Sequence, residues 1–346
     1  SQPSTRDLFD DAVASELVSS IFTNDLRACL APTSGHAKFT QAQKFLLGSV
    51  RTSDVDDSCV PVVVHKLQRS ASSFVHGDNA KALLDTTTSP RDRARLLATR
   101  GAHAGDWLYG SVSSSCSSLW LRGPEFRACC RLRLGANIIP QGRACVGCGL
   151  AEPNDQLGDH LLACLAGGHR TRIHNAIVDC VFGLARDALA TTKREPVPFS
   201  GVHARDRPDL ALQLDGSRDV TILVDVAMTH PLSASALKDK SQIGPAAAAN
   251  RYENVKTTKY RDAIAENNTA AGRSTTFLLR AVVADTFTTP PESACSLLKT
   301  LAKSWALANG STPAAMCRIA FLRFSHATAS AVGGLLASAA ASRAFG

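Results

Sequence analysis

Three cysteines and one histidine fall within twenty residues of a 346-residue chain, as Cys145-x2-Cys148-x11-His160-x3-Cys164. Cys-x2-Cys lets two thiolates reach one ion from a tight turn, and Gly147 and Gly149 suit that turn. His160 and Cys164 lie four apart, so one helical turn aims both the same way. Three thiolates and an imidazole complete a tetrahedral set. That set fits structural Zn²⁺ and leaves no open position for catalysis. The polar segment EPNDQLGD between the pairs cannot form a core alone, so buried cysteines beside a chance histidine would be a poor account of the cluster. His169 is a spare candidate ligand, and Asp159 is placed to orient His160.

A second group is acidic. Pro208-Asp209 opens one apolar run, RPDLALQL, and Asp225 interrupts another, DVTILVDVAM. Burying an unpaired carboxylate costs on the order of several kcal/mol, so Asp225 needs a cation or a hydrogen-bond network. Two adjacent carboxylates repel unless a divalent ion holds both ionised. Mg²⁺ suits such a pair, because it takes one or two carboxylates, keeps waters and binds phosphate. An ion held this way can activate water against a phosphodiester. Lys256, Lys259 and Tyr260 lie within about one helical turn. Lys256 could orient water or neutralise a phosphate, and Tyr260 could pack on sugar or bind phosphate. The alternative is a solvated charged face. Asp206 and Asp219 read as surface or hairpin-end charges.

The elements that must position these groups are legible in part. Residues 207–214 and 219–228 read as two strands joined by Asp215-Gly216-Ser217-Arg218, a hairpin signal. TTFLLRAVVAD (275–285) reads as a buried strand. TRIHNAIVDCVFGLARDALATT (171–192) reads as an amphipathic helix, with Ile173, Ile177, Cys180, Val181, Leu184, Ala188 and Leu189 on one stripe. NRYENVKTTKYRDAIAEN reads as a polar helix, and two Ala-rich helices follow Pro291 and Pro313. Residues 89–101 and 123–135 each open with Pro near the start and close on Gly, a helix signature. In the second, Arg127 and Arg131 share one side, near a wall that Phe126 and Cys130 would bury. They are either solvated or a phosphate-contacting strip. Residues 4–22 read as a further amphipathic helix with Ser4 as cap. The expected division is 1–88 helical region, 89–140 helical linker, 141–169 zinc knuckle, and 170–346 α/β domain.

The charge is +8, from 38 Lys and Arg against 30 Asp and Glu. That balance favours an anionic partner such as nucleic acid, although a merely soluble basic surface has the same charge. Eleven cysteines is an odd number, and no signal-like N-terminus accompanies them, so a reducing compartment is expected. No run reaches the roughly 18–20 apolar residues of a membrane span. The chain starts with Ser, which leaves open a fragment of a longer product or an incomplete start.

The acidic hairpin resembles the PD-(D/E)XK nuclease pattern, with Ala227 where that pattern has lysine. The run from Cys145 to Tyr260 resembles more narrowly the C-terminal zinc knuckle and restriction-like endonuclease of site-specific non-long-terminal-repeat retrotransposons. The matching features are Cys-x2-Cys…His-x3-Cys, His174-Asn175, Arg207-Pro208-Asp209, Val224-Asp225-Val226, and Lys256-Thr-Thr-Lys259-Tyr260. The family's Arg-His-Asn appears as Ile173-His174-Asn175, with Arg172 displaced by one. The resemblance implies a restriction-endonuclease-like α/β domain, a central mixed sheet flanked by helices. It implies Asp209 and Asp225 as Mg²⁺ ligands and a catalytic lysine supplied from the helix by Lys256 or Lys259, beside Tyr260. Some relatives of the fold place a glutamate before the hairpin, which makes Glu195 a further candidate. It implies that the knuckle grips DNA, with Arg172, His174, Asn175 and Arg207 near the strand. The partners would be duplex DNA, element RNA and an upstream reverse transcriptase, in the nucleus. The implied reaction is nicking that leaves a 3′ hydroxyl to prime reverse transcription. No polymerase is expected within the chain: Leu8-Phe9-Asp10-Asp11 opens a helix. Ala227 also motivates a different reading, a catalytically dead DNA-binding remnant. A zinc-stabilised scaffold without a nucleic-acid role is the third.

Overall fold

The structure is a computed structural model that describes residues 77–112, 119–150, 155–216, 219–269 and 275–342. The chain divides into two compact units, Ser1–Thr86 and Thr87–Gly346. In the first, a helix over 77–86 is described; the helix expected from Ser4 lies outside the described residues.

The second unit is mixed α/β, with helices around a four-stranded sheet. It opens with α1 (Pro90–Thr99), capped by Ser89 Oγ accepting from Asp92 N, then α2 (Asp106–Val112) and α3 (Gly123–Leu134). The cysteine-rich segment contains α4 (Asp159–Ala163). Next come α5 (His169–Asp187), β1 (Thr191–Arg194), β2 (Leu210–Gln213) and β3 (Val220–Thr229). The rest is α6 (Ala234–Lys238), α7 (Ala247–Thr269), β4 (Thr276–Asp285), α8 (Glu292–Ala308) and α9 (Pro313–Ala341).

The expected hairpin strands are β2 and β3, although Ser217 and Arg218 of the turn lie outside the described residues. The helix expected over 171–192 ends early. Leu189 takes a left-handed φ of 57° and is exposed, and Thr191-Thr192 begin an edge strand. Two consecutive β-branched residues favour that extended backbone over another helical turn.

The sheet order is β1-β2-β3-β4, antiparallel across the first two pairs and parallel between β3 and β4. β3 is therefore interior and buried on both faces, which is why it reads as a continuous apolar run. Its even residues Val224, Val226 and Met228 join the main core, which also takes Ile173, Ile177 and Val181 from α5, Leu297 and Leu301 from α8, and Phe324 and Val332 from α9. Its odd residues face α7: Leu223 packs with Tyr260 and Ala263, and Ala227 with Ala249. Asp225 lies between them on that second face.

The main core does not stop at the expected boundaries of 140 and 170. Ala94 and Ala98 of α1, Ala128 and Leu132 of α3, and Leu161 and Leu162 of α4 all belong to it. The linker, the knuckle and the sheet thus share one core. Helix α9 is long and apolar enough to cross a membrane by length and composition, contrary to the reading from the sequence. More than half of its most apolar stretch is buried, and it packs on α2, α3, α5 and α8. A core helix surrounded by other helices has the same composition as a span.

Candidate active site and metal centre

The cysteine-rich segment folds into a metal-ligand cluster. One ligand atom from each of Cys145, Cys148, His160 and Cys164 lies within 4.8 Å of the others, so the group can hold a metal ion such as zinc. Cys145 N donates to Leu150 O at 2.8 Å, and Gly149 N to Cys145 O at 2.8 Å, which closes the Cys-x2-Cys turn. Gly149 has φ of 73°, a conformation that costs glycine nothing. Gly147 N reaches Cys145 Sγ at 3.4 Å. The backbone N–H of Leu150 and then the His160 ring pull the Cys148 thiol down to about 7, while burial pushes Cys145 up to about 11. A metal would have to displace the Cys145 proton, because only the thiolate ligates.

The arm that carries His160 is fixed by an acid other than the expected one. Asp155 accepts from His160 N at 3.0 Å and Leu161 N at 3.1 Å, and so caps α4. Asp159 turns away from His160. It accepts from His230 Nε2 at 3.1 Å and pairs with Arg91 Nε. Burial opposes its charge, but His230 and Arg91 outweigh burial and hold its carboxyl below the ordinary carboxylate range. His230 follows β3 directly and its Nδ1 meets Thr286 Oγ1 at 2.7 Å. His169 is buried and lies outside the four-ligand cluster.

The two acids meet at the open end of the hairpin. Leu210 pairs with Val224, so Asp209 falls opposite Asp225, and directly opposed residues share a face. Asp209 Oδ2 accepts from Val226 N at 2.6 Å, and its Oδ1 stands 3.2 Å from His174 Nε2. His174 Nδ1 is 3.1 Å from Asn175 Oδ1. The hydrogen bond to Asp209 outweighs burial and raises the His174 pKa.

Asp225 is 4% exposed, so its charge must be met within the protein. Its Oδ1 accepts from Tyr260 OH at 3.0 Å. Lys256 Nζ lies 2.7 Å from Oδ2, close enough to balance charge but off hydrogen-bond geometry, so that buried oxygen lacks a directed donor. Tyr252, Lys256 and Tyr260 are spaced four apart, which lines them along the face of α7 that covers Asp225. Tyr260 OH also lies 3.0 Å from Arg207 O and 3.2 Å from Lys259 Nζ. One phenolic proton serves Asp225 or the Arg207 carbonyl, while Lys259 donates inward. Burial and the Asp225 charge raise the Tyr260 pKa strongly, so it stays a neutral donor.

Asp209, Asp225, Lys256 and His174 line one open cleft of about 360 Å³. The other predicted residues fall elsewhere. Glu195 is exposed at the end of β1, with φ of 45°, and does not line the cleft. Arg207 is exposed and contributes its carbonyl. Arg127 and Arg131 are exposed on α3. Arg172 points to a different depression and donates to His169 Nδ1 at 2.9 Å.

Sequence reasoning missed Arg170, Thr171 and Tyr252, which also line the cleft. Arg170 lies one turn before His174, and Tyr252 one turn before Lys256, so helical periodicity held the signal. Asp206, expected as a surface or hairpin-end charge, stands 3.7 Å from Lys259 and 3.1 Å from His203. Asp219 uses its carbonyl to accept from Thr276 N.

Comparison with known proteins finds no matching family model and no matching curated protein.

Proposed function

We propose that residues 87–346 form a metal-dependent DNA endonuclease module, of the kind carried by site-specific non-long-terminal-repeat retrotransposons. One observation carries the reading: Asp209 and Asp225 oppose each other at a cleft whose ammonium, Lys256, comes from the covering helix rather than from β3. Ala227, at the usual lysine position, is 5% exposed under that helix, so a long cation would have no room there without displacing it. A lysine from α7 reaches the same carboxylate. This supports a restriction-endonuclease-like arrangement with its lysine relocated.

The donor set fits a divalent ion such as Mg²⁺. Two carboxylates from adjacent strands converge, and one buried carboxylate oxygen lacks a directed hydrogen bond. Asp209 and Asp225 would hold the ion. When bound, it supplies Lewis acidity and neutralises charge at the scissile phosphate. Tyr260 orients Asp225, His174 orients Asp209, and Lys256 balances negative charge or orients a water. The zinc-binding knuckle is a structural clip with a closed ligand set. Duplex DNA in the nucleus, element RNA and a reverse transcriptase encoded upstream are the partners this reading carries.

Nicking of supercoiled plasmid with and without added Mg²⁺ tests it. Asp225→Asn and Lys256→Ala should each lose about a hundredfold or more in rate while keeping the fold. Ala227 also motivates a second reading, a DNA-binding remnant that no longer cuts. Under it, the wild type binds DNA with steep salt dependence and never nicks, whichever divalent ion is present.

A further inference from the structure

The cleft has two chemically different ends. Asp209 and Asp225 line one. Toward the other, β3 runs on through Ala227 and the Met228 backbone, which form a low floor, while the Met228 side chain joins the main core on the opposite face. Over that floor stand the Arg170 guanidinium and the Tyr252 ring. Neither takes part in the acidic constellation.

Arg170 is half-buried and its Nη2 donates to Met228 O at 3.0 Å. That bond anchors the guanidinium to the strand. A guanidinium has five N–H donors in a rigid fork, so anchoring one leaves an edge to meet a phosphate. Tyr252 packs against the small cluster of Ala227, Ala249 and Val283, which fixes its ring. Lys256 Nζ lies 5.9 Å from the ring centroid. The aromatic ring therefore borders the lysine and shares the cleft with Arg170. Asp225 and Met228 are three strand residues apart, about 10 Å. That span reaches beyond a scissile phosphate to a flanking nucleotide.

We propose that Arg170 and Tyr252 form a nucleotide-holding subsite: Arg170 pairs with the phosphate next to the one held between the acids and Lys256, and Tyr252 packs on the intervening sugar or base. The subsite rests on the reading of the cleft as a DNA site. An anchored arginine beside an aromatic ring is the combination that holds a strand without reading its sequence. Ala227 keeps the floor low beside the Tyr252 ring.

The test is DNA affinity, measured by fluorescence anisotropy of a labelled duplex at several salt concentrations without Mg²⁺, so that it does not depend on cleavage. Arg170→Gln removes the charge and, being shorter, also gives up the bond to the Met228 carbonyl. It should stay folded, as a thermal melt checks, bind about tenfold more weakly, and lower the salt slope by about one. Tyr252→Ala should weaken binding with the slope unchanged, and Tyr252→Phe should restore it. Wild-type affinity and slope in Arg170→Gln would overturn the subsite, as would a wild type that binds no DNA. A wild type that binds but fails to nick with Mg²⁺ defeats the nuclease reading alone, and the Arg170 and Tyr252 measurements still decide the subsite.

Discussion

Each carboxylate in the cleft has a cationic neighbour: His174 beside Asp209 and Lys256 beside Asp225. The pairs differ in how pH acts on them. The His174 pKa is raised on folding, chiefly by its hydrogen bond to Asp209. A raised histidine contributes stability that is fully present below its unfolded value. That contribution is lost as pH rises through the folded value. Thermal melts of wild type and His174→Gln should therefore differ at about pH 5.5 and converge at about pH 8.5, with a gap of about 1 kcal/mol for this partly exposed pair. A gap that grows with pH would show that His174 folds neutral. At this scale, the sequence singled out Asp209, Asp225, Lys256 and Tyr260 by their order and spacing, and the structure brings these four together. It misassigned Asp159, since sequence adjacency to His160 carries no information about which way a carboxylate turns.

Packing between α3 and α9 is close enough to dictate a residue type. A Cβ at Gly333 would come within 2.8 Å of Cys129 Sγ and 2.8 Å of the Glu125 carbonyl oxygen. The second contact is backbone and cannot swing aside. Gly333→Val should thus destabilise the unit by about 1–3 kcal/mol, seen as a lower Tm, whereas Gly310→Ala tests a turn with φ of 60° and open space instead. An unchanged Tm in Gly333→Val would rule the crowding out. The elements themselves were mostly legible. Apolar runs bounded by turn residues located β2, β3 and β4, and period-3.6 patterns the long helices, to within a few residues. Strand β1 was not, because four residues of Thr-Thr-Lys-Arg at a sheet edge bury too little to leave a pattern. Nor was the shared core. Leu161 and Leu162 stand between two metal-ligand candidates on a five-residue helix, and only the fold brings them into the main core.

For the whole Thr87–Gly346 unit, that shared core makes the metal cluster a matter of global stability. Leu161 and Leu162 are each 1% exposed and lie directly beside ligand His160. Loss of a bound metal would loosen the α4 arm that carries both. Exhaustive chelation, or Cys164→Ser, should cost at least about 3 kcal/mol, roughly 6–12 °C in Tm, as one cooperative transition. Metal content measured beside the melt checks the premise: a metal-free preparation with an unchanged Tm would rule the clip out. The Arg91–Asp159–His230 contact extends the same coupling, since it joins the knuckle to a helix some seventy residues earlier and to the end of β3. The knuckle is therefore not interchangeable. A chimera that exchanges residues 141–169 for another knuckle of equal ligand spacing would strand Arg91 and His230 facing a foreign surface. Change in this segment should proceed only together with change at positions 91 and 230, and a successful graft would have to carry all three.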